Sequence, residues 1–365
     1  MKKDWSHFNN SKPFTLGVEL EVQIVDNRNF KLVSKAEEIF KNISEKNKKF
    51  IHPELLKSMV EIVTPVCNSS EEVIHYIKQV VKEIREIGKK HSFEIVALGT
   101  HVTARRDDVE ITYDKRYLKF LEEFQIVLRN FLIYGLHIHV GFPYAESAVR
   151  AFNFLREYLP VFLSMSTSSP FFEGEFTGLH SYRTKIFEQL PRAGIPDYFN
   201  NYNHFQELMN QLFESGTINS IKDVWWDLRI HPNFGTIELR ICDAINDIER
   251  IELLVILFQA MCMYALDNKA ENTFFQIVKQ NKWNAARHSL NGKFISKDKT
   301  STFKQTAFEL VEKMRKKGIF QELKTEDKIQ DLMKILDKKP ISQNLIEIFN
   351  QTQNFAEVEK IGILK

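Results

Sequence analysis

Cysteine is scarce in this chain: Cys67, Cys242 and Cys262 are the only three in 365 residues, far apart and with no CxxC pair. An odd, scattered set excludes a disulfide framework and reads as reduced thiols in a cytoplasmic protein. Charge of one sign is also missing. Fifty Lys and Arg stand against 48 Asp and Glu, a formal net charge of +2, which gives no reason to expect a nucleic-acid or membrane partner. No hydrophobic run is long enough to span a bilayer. The most apolar stretch, Leu253 to Leu266, contains Gln259 and reads as a buried core helix. Met1 to Pro13 lacks the apolar core of a signal peptide. There is no Walker A sequence, no GxGxxG after a strand and no GxSxG elbow, so a P-loop nucleotide site is not expected.

What is present is ordinary in amount, 43% hydrophobic and 27% charged, and informative in order. Phe14 to Val25 alternates, with Gly17, Glu19, Glu21 and Gln23 on one face and Leu16, Val18, Leu20, Val22 and Ile24 on the other. Ser58 to Thr64 predicts a second strand carrying Glu61, and Phe93 to Leu98 a third. Leu136 to Phe142 predicts a strand with His137 and His139 on one face. Trp226 to Ile230 and Thr236 to Cys242 predict neighbouring strands joined by the turn His231 to Gly235, the second with Glu238 and Arg240 side by side. Helices are expected after Asn68-Ser69-Ser70, over Tyr117 to Leu132, over Ala145 to Met165 and over Asp247 to Leu266. The last hundred residues read as mainly helical, with a break at Lys339-Pro340. Residues 1–13 are expected to be an N-terminal segment and 14–365 a single domain with a helical C-terminal part. An antiparallel sheet with helices on its apolar face would gather the polar groups onto one concave surface.

Those groups suggest metal and phosphate chemistry. Glu19 and Glu21 hold two carboxylates close together, which a divalent cation would relieve, and carboxylate-rich ligation suits Mg²⁺ or Mn²⁺. Taken alone, a solvated strand face with two unrelated glutamates is the commoner explanation of such a pair. His137 and His139 are spaced as metal ligands, or as hydrogen-bonded histidines in a polar cleft. Glu238 suits a metal and Arg240 a phosphate, or the two form a salt bridge.

Phe14 to Glu21, Val60 to Pro65, Ala97 to His101, Gly135 to Gly141, Ser166 to Phe187 and Ile218 to Ile241 together resemble the type 2 glutamate–cysteine ligase family, in its YbdK-type carboxylate–amine ligase branch. Asn281 to Arg287 is similar as well, and the resemblance runs over roughly residues 14–350. It implies an α+β, glutamine-synthetase-like fold, with a curved, mainly antiparallel sheet and helices packed on its outer face. The implied function is ATP-dependent ligation, in which a glutamate-like carboxylate is activated as an acyl phosphate for attack by an amine, with cysteine a weak acceptor. The implied metal ligands are Glu19, Glu21, Glu61, His137 and Glu238. Arg240 and Glu238 become the catalytic pair, and Arg240, His139, Arg287 and Trp226 the nucleotide contacts. Arg183, Ser168 and Ser169 become substrate contacts. The cofactors are ATP and Mg²⁺ (or Mn²⁺), the partners small amino acids and amines, and the assembly a homo-oligomer such as a dimer. The same scaffold would also suit a regulator that binds without turnover, or a metal-dependent hydrolase. The charged loop from Arg105 to Tyr117 departs from the family pattern, which bears on substrate identity rather than reaction class.

Overall fold

The computed structural model describes Trp5 and residues 7–365; the expectation for residues 1–4 and 6 of the N-terminal segment lies outside them. Seven strands form one sheet: β1 (Leu16–Asp26), β2 (Ile51–Pro53), β3 (Met59–Val63), β4 (Phe93–Val96), β5 (Gly135–Gly141), β6 (Leu228–His231) and β7 (Thr236–Asp243). Their order is β6-β7-β5-β1-β3-β2, with β4 also on β1, and every neighbouring pair is antiparallel. The period-2 pattern decides which face is covered. Leu20, Val22, Leu136, Ile138, Val140, Ile237, Leu239 and Ile241 are all fully buried. Helices α1 (Ser70–His91), α3 (Ala145–Ser166) and α4 (Ile248–Asp267) pack on that side. The fold is α+β with a large antiparallel sheet.

Local chemistry accounts for the helix ends. The Ser69 hydroxyl accepts a hydrogen bond from the Glu72 amide, and Glu71 and Glu72 occupy the positive end of α1. Between the cores of α1 and the sheet lie Val73, Ile77, Val80, Val81 and Ile84, as their spacing predicts. The break at Lys339-Pro340 is present, between helices at Ile329–Asp337 and Ile341–Thr352.

Two elements differ from the sequence pattern. The helix expected over Tyr117 to Leu132 is cut: α2 (Lys115–Phe124) ends at Gln125, whose φ of 48° turns the chain before a short turn at Ile126–Arg129. The bend lets Phe120, Phe124, Leu128 and Phe131 converge on a side cluster that one straight helix would have splayed. The strand expected over Trp226 to Ile230 is also divided. Trp225–Trp226 pairs in parallel with Ala193–Gly194, and the chain joins the main sheet only from Leu228. Asp227 makes the switch, since its amide donates to Gly194 while its carbonyl accepts from Arg240.

The described part of the N-terminal segment is clipped to the β6–β7 turn. The amides of Asn9 and Ser11 donate to the carbonyls of Pro232 and Phe142. Gly235, at φ 61°, sits against this clip, and a Cβ there would lie 1.6 Å from the Asn9 carbonyl oxygen. Only glycine fits.

Candidate active site

The strand register brings the polar residues together. Glu19 stands opposite His137 across β1 and β5, and Glu21 opposite Glu61 across β1 and β3. Glu238 stands opposite both His139 on β5 and Arg229 on β6. A cavity of about 860 Å³ opens on this face, with Glu19, Glu21, Glu61, His137, His139 and Arg240 in its wall.

The Glu19 carboxylate bridges the two histidines, 3.2 Å from His137 Nδ1 and 3.3 Å from His139 Nε2. Burial works to raise its pKa, but the two imidazoles outweigh it and hold the carboxyl well below its usual range. His139 Nδ1 lies 3.1 Å from the Thr236 hydroxyl. Glu238 is wholly buried between two guanidinium groups: Arg229 Nη2 is 2.6 Å from its Oε2, and Arg240 Nη1 donates to its Oε1. Burial opposes ionisation there too, yet Arg229 and Arg240 keep the carboxylate charged. Arg229 is fixed in turn by the carbonyls of Ile221 and Val224, at 3.2 and 2.9 Å.

The other carboxylates lack such partners. Burial, followed by the charge of Glu54, pushes Glu21 up to about 7. Burial and then the charge of Glu19 push Glu61 well above its ordinary value. Burial, followed by the neighbouring Arg240, takes His137 down to about 4. Carboxylates held back from ionising beside a neutral imidazole are the donor set a divalent cation satisfies. Two groups have ligand atoms within 4.8 Å of one another, Glu19 with His137 and Glu238, and Glu21 with Glu61 and His137. These residues fit a cation, and His137 is common to both groups.

Four expected contacts lie elsewhere. Ser168 and Ser169 are buried at the end of β7, where their hydroxyls donate to the Ala244 carbonyl and the Asp243 carboxylate at 2.7 Å each. They brace the chain around Asp243 and do not line the cavity. The Trp226 ring packs against Phe199, while its neighbour Trp225 faces the cavity. Arg183, by contrast, reaches the floor of the site: its guanidinium lies with the His137 ring over Gly135, its charge acts on Glu21, and it donates to the carbonyls of Arg240 and Ile241. Arg287 is exposed near the C-terminal end of α5 (Phe275–His288), away from the cavity wall.

Other wall residues escaped the sequence reading. Arg229 had a readable signal, because it alternates with Leu228 and Ile230 as Glu238 does with its neighbours. Glu54 follows the three-residue strand β2, too short to show a period, and Asn9 to Ser11 reach the site only through the clip.

The model of glutamate–cysteine ligase family 2 matches residues 15–350. The chain belongs to that family. It is therefore an ATP-dependent carbon–nitrogen ligase, of the carboxylate–amine type. A protein of Roseiflexus sp. (strain RS-1) named "Putative glutamate–cysteine ligase 2" is 34% identical over 353 residues, 95% of this chain and 93% of the relative. One of the same name from Chloroflexus aurantiacus is 34% identical over 352 residues, 94% of this chain and 90% of the relative.

Solved structures agree on the fold. A glutamate–cysteine ligase of Francisella tularensis, in complex with AMP, superimposes with a TM-score of 0.69 at 13% identity, covering 97% of this chain and 89% of that one. A bifunctional glutathione synthetase from Pasteurella multocida gives 0.72 at 11% identity over 95% of this chain; the present chain spans only 52% of that protein. No helix among the described residues is long and apolar enough to cross a membrane.

Proposed function

We propose that this ligase uses ATP to convert the side-chain carboxylate of a glutamate-like amino acid into an acyl phosphate, and then joins it to an amine. Mg²⁺, or Mn²⁺ in its place, is the cation of this reading. The supporting observation is His137, shared by two carboxylate groups on a face that also presents Arg240.

A free carboxylate is a poor acyl donor because its leaving group would be oxide. In the proposed route a carboxylate oxygen bonds to the γ-phosphorus of ATP as the bond to the β-phosphate oxygen breaks, and ADP departs. The amine nitrogen then bonds to the acyl carbon, and phosphate leaves together with the surplus amine proton. Glu19, His137 and Glu238 would hold one cation, with Glu21 and Glu61 facing a second; a neutral imidazole offers one lone pair, so His137 would serve one of them at a time. When bound, such ions supply positive charge across the phosphate oxygens. Arg240 offers a fixed guanidinium beside the same oxygens, held in place by Glu238. His139 is oriented by Thr236 and Glu19 toward the same region. A homodimer in a cytoplasmic setting completes the reading; the three buried free thiols suit that compartment.

The experiment is ADP release by purified protein with Mg·ATP, glutamate and a panel of amines. Amine-dependent ADP and a matching amide in the product mixture are expected. Hydrolysis without ATP, or ATP binding with no amide from any pair, would overturn the reading.

A further inference from the structure

The cavity has two unlike ends. At one mouth stand Asn9, Asn10 and Asn233, beside His231 and Phe234 stacked at 4.1 Å and 8°. Beyond Glu54, at the other end, six apolar side chains line the wall, Leu55, Phe120, Leu128, Phe131, Leu190 and Trp225, with Arg116, Tyr117 and Lys222 beside them. Leu128, Phe131 and Leu190 belong to a hydrophobic cluster separate from the main core, and Leu55, Phe120 and Trp225 pack on its rim. Phe120 and Trp225 meet edge to face, 5.1 Å apart at 84°, and the Arg192 guanidinium lies 5.1 Å from the Trp225 ring on another side. These rings are half-buried and fixed before any ligand arrives. Glu54 borders this end, accepting from the Leu55 amide at 3.1 Å and the Tyr117 hydroxyl at 3.4 Å. It belongs to neither cation-ligand group.

We propose that this end seats the amine, and that the amine carries a bulky apolar group, aromatic or branched aliphatic, rather than the short side chain of cysteine. The inference rests on the ligase reading above. Six side chains with one polar atom among them, the Trp225 indole nitrogen, match a hydrocarbon, while two polar neighbours are already engaged, Arg116 by the Lys222 carbonyl and Tyr117 by Glu54. The nucleobase finds amides and a stacked aromatic pair at the opposite mouth. The triphosphate is drawn to Arg240 and the cation ligands between the two ends. Glu54 meets the ammonium as it enters, carboxylate to cation. Cysteine would leave most of the apolar wall unfilled, and each methylene that fills such a pocket changes kcat/KM by about 10-fold or more.

The test compares ADP release, with Mg·ATP and glutamate, for cysteine, alanine, phenylethylamine, isoamylamine, phenylalanine and leucine. At least ~10-fold higher kcat/KM for the apolar amines than for cysteine is expected. Trp225→Ala should remove that preference by raising the KM for the amine, with the KM for ATP unmoved. Phe120→Ala, on the half-buried rim, gives the same reading if the first variant folds poorly. Equal or better use of cysteine would overturn the proposal while leaving the ligase reading intact. A raised KM for ATP in the variants would assign the wall to the nucleotide and also overturn it. Were no amine to release ADP, the ligase reading would fail. Calorimetric titration of phenylethylamine onto wild type and Trp225→Ala then decides the seat by itself: heat lost in the variant supports it, and no binding to wild type refutes it.

Discussion

His137 and Glu19 face each other across the β5–β1 ladder, with Nδ1 3.2 Å from Oε2. His137 also belongs with Glu21 and Glu61, so one imidazole links two groups of ligands.

His137→Ala should therefore weaken cation binding whichever group of carboxylates holds the ion. Changes outside the ligand set alone cost about 10–100-fold in affinity, and loss of a shared ligand should exceed that. Calorimetric titration with Mn²⁺ measures it; an unchanged isotherm would exclude His137 as a ligand.

Glu238→Gln is expected to impair phosphoryl transfer, but it is not a clean probe of a cation. The substitution leaves Arg229 and Arg240 buried without their shared countercharge, which should cost about 3–5 kcal/mol of stability. Urea denaturation checks this figure. Glu19→Gln, at a carboxylate 22% exposed, should lose activity with a smaller stability loss, and the contrast between the two variants separates ligation from folding.

Without a cation, stability should fall as pH rises from 6.5 to 8. The folded chain keeps a proton on Glu21 up to about 7, whereas the unfolded chain releases it near the ordinary value of 4.5. Protons bound only by the folded state stabilise it at low pH, and that stabilisation is lost as pH passes the folded pKa. Glu61, also raised, acts in the same sense. The window begins at 6.5 because His137, His180 and His231, all lowered, act in the opposite sense below it. Melting temperatures in chelator should show the decline, and saturating Mg²⁺ should flatten it. Glu21→Gln should reduce the slope; an undiminished slope would assign the linkage to other groups.

Gly235→Ala should release the N-terminal clip. Its positive φ alone costs about 1–2 kcal/mol in an L-residue, and the added methyl collides with the Asn9 carbonyl. Limited proteolysis should cut ahead of Phe14 faster than in wild type. Equal protection would mean that the segment holds by other contacts.

Alternation along Leu16–Asp26, Gly135–Gly141 and Thr236–Asp243 was enough to name Glu19, Glu21, His137, His139, Glu238 and Arg240 as residues sharing a polar face. That worked because side-chain direction in a strand has a period of two, a local property written in consecutive residues. The order of strands, which sets Glu19 against His137 and Glu238 against His139, is a matter of pairing between distant segments, and no local period encodes it. Ser168 and Ser169 lie in a recognisable motif, yet their hydroxyls are taken up by the Ala244 carbonyl and the Asp243 carboxylate, which only the folded chain brings near. The apolar seat around Trp225 arises in the same way, from chain bends at Gln125 and Asp227 that bring separate segments to one wall. The sequence by itself determined the chemistry of one sheet face. The tertiary structure decided which of those groups meet, because burial and register are relations between segments rather than properties of any one of them.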